Sequence, residues 1–181
     1  KISKRLNPYV RAHRPSIIGR WRSTMGFPER VYTVEEVKKA RALIAKGYKH
    51  RLRVVGSQDF KRKVKEALKL IKAAKYYSFL RTYIRQIREI GGLSQLREAE
   101  VAIWANKYAV ADPIEVASFI IQKAQQMKDF IEGKLYYDKG EIGAVKKRIE
   151  FLETLRDTIK DQAVKKKCEE NLKRWAELTF P

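Results

Sequence analysis

The chain has 181 residues, enough for one domain or one domain with an appendage, and its 44% apolar content supports a real core. Its 41 Lys and Arg outnumber its 21 Asp and Glu, leaving a net charge of +20 that makes a polyanion the natural partner, nucleic acid first and an anionic membrane second. A single cysteine, Cys168, excludes an internal disulfide, and no apolar run reaches the roughly 20 residues of a membrane-spanning helix.

Residues 1–32 read as an extended arm. Pro8, Pro15, Pro28, Gly19 and Gly26 interrupt any apolar period, although a short helix around 17–24 is compatible with the pattern. Its eight cations face one acid, Glu29. Tyr9, Arg11, Arg14, Arg20, Trp21, Arg22, Phe27 and Arg30 interleave guanidinium forks with rings that can stack. An arm of this kind folds when it meets a polyphosphate. The N-terminus is basic but lacks the apolar core of a signal peptide, so secretion by that route is not expected.

In the stretch YTVEEV, Thr33 and Glu36 predict a capping box, and a helix follows to about Lys46 with Gly47 as its stop. Residues 47–56, GYKHRLRVVG, form a basic connector carrying Lys49, Arg51 and Arg53. Arg51 to Val55 has the composition of a short strand, but the sequence offers it no visible partner.

From Ser57 the pattern predicts one long helix to about residue 90. Phe60, Val64, Leu68, Ile71, Leu80, Ile84 and Ile87 recur at mostly three- and four-residue spacing. Lys61, Lys65, Lys69, Lys72, Arg81, Arg85 and Arg88 each follow one of these apolar residues, so on one helix they would form a cationic stripe beside its buried face. Gly91-Gly92 ends the element. An apolar helix is expected over 95–110, QLREAEVAIWANKYAV, central in a bundle. Asp112, Pro113 and Glu115 predict the start of the next helix, closed by Gly133, and Asp138 with Glu141 predicts another capping box. The apolar spacing then continues to Leu178, with a break possible at Lys160-Asp161.

The expected fold is all-α: a basic extended arm with a short helix over 1–56, then a four- to five-helix bundle over 57–181. No catalytic constellation stands out. His13 and His50 lie in basic, loop-like segments without a second ligand at metal spacing, and no phosphate-cradling glycine motif is present. The expectation is a non-enzyme without cofactor or metal. Its nucleic-acid-binding residues are predicted to be Arg5, Arg11, Arg14, Arg20, Trp21, Arg22, Arg30, Lys49, Arg51, Arg53, Lys61, Lys65, Lys69, Lys72, Arg81, Arg85 and Arg88. Of the +20, all but one unit lies in residues 1–92, and it addresses phosphates, not bases. The one helix-turn-helix candidate, 98–130, places the apolar IEVASFIIQKAQ where a reading helix needs polar side chains.

An arginine-rich arm, a short helix and a compact set of long helices resemble the major capsid proteins of filamentous and rod-shaped archaeal viruses. The resemblance implies a coat subunit that wraps double-stranded DNA and associates with itself or with a paralogous subunit, in a virion or an intracellular nucleoprotein complex. Few Asn, Cys and Met and many Lys and Ile are compatible with a hot habitat. The alternative is a ribosome-associated or other binder of structured RNA.

Overall fold

The structure is a computed structural model that describes residues 26–179. Six helices and a four-stranded mixed sheet make up the described residues, so the expected all-α bundle is corrected to an α/β fold. In chain order the elements are α1 (Val34–Ala45), β1 (Arg53–Val55), α2 (Gln58–Ala73), α3 (Tyr77–Tyr83), β2 (Gln86–Ile90), β3 (Gln95–Arg97), β4 (Ala102–Asn106), α4 (Pro113–Glu132), α5 (Glu141–Thr158) and α6 (Gln162–Thr179). Short 3-10 turns occupy Glu98–Glu100 and Asp138–Gly140.

The expected 57–90 helix is interrupted twice. Ala74 caps α2, and Lys75 takes a left-handed backbone conformation with φ of 63°. The chain then makes the short α3 and leaves it at Ile84 in extended geometry. Arg85 donates its N–H to Val101 O, and Arg53 donates its own to Arg85 O, which starts the sheet. The connector's candidate strand thus finds the partner that the sequence hid, β2. The expected 95–110 helix is instead β3, a turn and β4.

The strand order is β1-β2-β4-β3, parallel except for the antiparallel edge strand β3. Val54, Ile87, Ile103 and Leu96 lie side by side across the four strands. They form the apolar face, on which Val64 of α2 and Ile120 of α4 meet Ile87 and Ala105. Helix α4 is the hub, with twelve buried residues, and α5, α2, α3 and α1 pack around it.

The helix ends follow the sequence unevenly. Thr33 and Glu36 make the expected capping box, and Asp112 accepts from the N–H groups of Ile114 and Glu115. Glu115 does not complete a box there, because Arg148 and Arg174 claim its carboxylate at 2.6 and 3.1 Å. Helix α5 starts from Gly140 without a side-chain cap, so the Asp138–Glu141 box is also corrected. The break at 160–161 is real, and the Asp161 carboxylate accepts from Ala163 N at 2.8 Å to start α6. Cys168 is fully buried and its thiol is pushed up to about 11 by that burial, as suits a core side chain.

Candidate nucleic-acid interface

A mostly parallel sheet is usually covered on both faces. Among the described residues, helices cover only one. On the other, the aligned positions are Arg53, Gln86, Ala102 and Arg97 in one row, and Val55, Arg88, Trp104 and Gln95 in the next. Arg53, Val55, Arg88, Gln95 and Arg97 are exposed, Gln86 and Trp104 are half-buried among them, and Ala102 is buried. The alternation over residues 86–88 and in QLR produces this: period two sends Ile87 and Leu96 into the core and Gln and Arg outward.

The Arg97 guanidinium carbon stands 4.5 Å from the Trp104 ring centroid. A guanidinium on an indole is held flat by cation–π attraction, leaving its N–H edge for a phosphate. Arg97 also has Glu100 at 3.7 Å, a loose and solvated pair. Arg88 reaches the side-chain oxygen of Gln86 at 3.2 and 3.3 Å with the Gln86 amide oriented to accept. At the carboxyl ends of β1 and β2, an open groove of about 450 Å³ is lined by Val55, Gly56, Arg88, Glu89, Ile90, Gly91 and Lys107. Its one carboxylate, Glu89, is tied to the start of α2 through Ser57 Oγ at 3.1 Å.

The eleven expected binding residues that the structure describes do not form one track. Arg5, Arg11, Arg14, Arg20, Trp21 and Arg22 lie outside the described residues. Lys61, Lys65, Lys69 and Lys72 do share an exposed stripe on α2. That helix covers the apolar side of the sheet, so its stripe and the open face carrying Arg53 and Arg88 belong to different layers of the fold. Lys69 is engaged by Glu66 at 2.8 Å, and Lys72 lies 4.6 Å from the Tyr77 ring centroid.

Arg81 and Arg85 leave the stripe altogether. Arg81 Nε donates to His50 O at 2.7 Å. Arg85 donates to Pro28 O, Glu29 O and Glu100 O at 3.2, 2.7 and 2.9 Å, clamping the 26–32 segment onto the end of the sheet. Lys49 Nζ donates to Thr82 Oγ1, while Arg30 and Arg51 are exposed. Arg97, Lys107 and Trp104 join the candidates only through the sheet. Their signal was the alternation in QLR and the short apolar run VAIWA, which fits a buried strand once its length is weighed.

His50 is not a surface group. It is 1% exposed, its ring packed edge-on against Phe27 at 4.4 Å and Tyr48 at 5.0 Å. Burial, and then the charges of Arg85 and Arg81, push its pKa down to about 4 from 6.5. The folded protein therefore holds His50 neutral where the unfolded chain would already bind a proton. Its contribution is complete above about pH 6.5 and is lost as pH falls toward 4, about 3 kcal/mol in all. Urea midpoints between pH 7 and 4 are expected to fall for the wild type, with this component missing in His50→Gln.

No group of three or more His, Cys, Asp or Glu side chains positioned to hold a metal occurs among the described residues. On α4, Gln122 and Gln126 have the i, i+4 spacing at which a helix presents two histidines to zinc, with Lys123 where a catalytic glutamate would stand. Amides and an ammonium are poor zinc ligands, and hydrogen bonding occupies them. Gln122 accepts from Arg148 at 2.9 Å, Gln126 donates to Tyr136 O at 3.1 Å, and Lys123 donates to Gln126 at 2.9 Å. No helix among the described residues is long and apolar enough to cross a membrane. Comparison with protein-family models, with curated proteins and with solved structures finds no match.

Proposed function

We propose that this protein is a non-enzymatic, sequence-tolerant nucleic-acid-binding protein whose folded contact surface is the open face of the sheet. The observation that carries the reading is the uncovered layer bearing Arg53, Arg88 and Arg97 around Trp104, in a chain of net charge +20. Forked cations bind phosphates, and the Arg97 guanidinium over the Trp104 ring offers a flat surface on which a base can stack. The basic arm supplies further phosphate contacts. Double-stranded DNA remains the favoured partner, with structured RNA as the alternative.

Coating by self-association belongs to the same proposal, but it no longer draws on a bundle of long helices, because the chain folds around a sheet. Titration of random-sequence duplex DNA, duplex RNA and single strands of several lengths, followed by electron microscopy of the saturated mixtures, tests it. A constant footprint per subunit with regular filaments is the expected result. Tight binding to one folded RNA without filaments would favour the alternative, and no binding to any of them would end the nucleic-acid reading.

A further inference from the structure

The groove between α5 and α6 has a character opposite to that of the open sheet face. It measures about 340 Å³, and Ile142, Val145, Trp175 and Leu178 make its apolar wall. Ile142 and Leu178 are 53% and 68% exposed. Asp138 and Glu141 also line it, and no lysine or arginine does so among the described residues. Of the cations nearby, Lys134 pairs with Glu132 at 2.7 Å, and Arg148 and Arg174 pair with Glu115 at 2.6 and 3.1 Å. Lys139 and Lys146 are exposed outside the lining. In a chain of net charge +20, this groove repels phosphate and suits a cationic segment with large apolar side chains.

The chain carries such a segment. Residues 1–25 hold seven cations and no acid, and the run IIGRWR over 17–22 sets Ile17, Ile18 and Trp21 beside Arg20 and Arg22. Phosphate binding accounts for the arginines of that run but not for its isoleucines. The path out of the described residues leads toward the groove. Val31 N donates to Ala99 O at 2.9 Å, and Glu98, one residue earlier, accepts from Tyr137 Oη at 2.7 Å. The 26–32 segment and the 134–140 loop therefore meet on one turn, and Asp138 follows Tyr137 directly. Gln126 fixes the same loop by donating to Tyr136 O at 3.1 Å. Ten residues separate Trp21 from Val31, a reach of about 35 Å when extended.

We infer that residues 17–22 dock in this groove of their own chain, and that nucleic acid draws them off it. Trp21 and the two isoleucines face Ile142, Val145, Trp175 and Leu178, and Arg20 and Arg22 meet Asp138 and Glu141. The release rests on the nucleic-acid reading, whereas the docking does not. The groove and the phosphates then compete for the same arginines, so the free protein holds its arm back until a polyanion replaces the two carboxylates.

A nitroxide on Ser16→Cys reports the contact in the whole chain, because Cys168 is fully buried and leaves the new thiol as the one to react. Without nucleic acid, the label should broaden the backbone amide signals of Ile142, Val145, Trp175 and Leu178. Asp138→Asn with Glu141→Gln changes two exposed side chains, so it should keep the melting temperature and lose the broadening. Trp21→Ala should lose it too. Labelled chains mixed with isotope-enriched chains that lack the label should show none. Absence of the broadening, its survival in both variants, or its appearance between chains each overturns the docking. Random-sequence duplex DNA should restore the four signals. A duplex that binds and leaves them broadened overturns the release, and a duplex that does not bind overturns the release together with the nucleic-acid reading while the docking stands.

Discussion

Replacing Arg53, Arg88 and Arg97 together with alanine is expected to weaken nucleic-acid binding by roughly 50- to 100-fold near 0.1 M salt while the protein stays folded. All three are exposed, and none donates to a backbone carbonyl of another element, so stability should move by less than about 1 kcal/mol. The salt dependence carries the sharper signature. Each phosphate contact removed lowers the slope of log K against log salt by about 0.9 on duplex and about 0.7 on a single strand, so a loss of 2 to 3 units is expected. Alanine at Lys61, Lys65, Lys69 and Lys72 removes one more charge from an equally exposed surface, yet it should cost under about fivefold. If the two variants weaken binding in proportion to charge alone, the open face is no special surface and net charge explains the affinity.

Arg85→Met is expected to do the opposite: it should destabilise the fold and leave the affinity of the folded protein almost unchanged. The guanidinium serves the carbonyls of Pro28, Glu29 and Glu100, three groups in two segments some 70 residues apart in sequence. Removing it leaves three acceptors short of a donor beside the buried Pro28 and Val31, at a cost of about 3 kcal/mol. For a domain of this size that is a fall of roughly 6–12 °C in Tm. Arg85→Lys keeps the charge but cannot fork to three carbonyls, so it should recover less than half of the loss. Measured below both melting transitions, binding by Arg85→Met should stay within about twofold of wild type. A loss of affinity there comparable to that of the three-arginine variant would return Arg85 to the binding surface.

These two experiments separate arginines that the sequence treats alike. Read as one helix, Arg81, Arg85 and Arg88 follow Leu80, Ile84 and Ile87 with the same offset as the lysines of α2. The apolar residues are indeed buried, Leu80, Ile84 and Ile87 all completely. Burial was therefore legible, but the period was not. Over so short a stretch Leu80, Ile84 and Ile87 fit a helical face, whereas Ile84 and Ile87 in the structure belong to a helix exit and a strand. No glycine or proline marks the turn at Lys75, whose positive φ of 63° belongs to the capping turn in which Tyr76 N donates to Ile71 O. The enrichment of 82–90 in Thr, Tyr and Ile was the available hint, together with Gly91-Gly92 closing a strand and not a helix.

VAIWA misled in another way. It is apolar throughout because Ile103 and Ala105 are buried on one face while Ala102 is buried and Trp104 half-buried on the other, and such a run is indistinguishable from a buried helix by periodicity. Parallel pairing of β2 with β1 and with β4 also depends on contacts 33 and 16 residues apart, which no local pattern reports. By contrast, α1 and α4 follow from Thr33 and Asp112, because a cap is a local hydrogen bond. The charge asymmetry was also plain, but only the pleat decides which cations share a face.

The most direct test of the central claim is photo-crosslinking of the whole chain to random-sequence duplex and single-stranded nucleic acid, with the linked residues read by mass spectrometry. Crosslinks are expected at β1, β2, β3 and β4, on Arg53, Arg88, Arg97 and Trp104, besides the basic arm. Crosslinks on the arm and on Lys61 to Lys72 of α2, with the sheet strands untouched, would contradict the account.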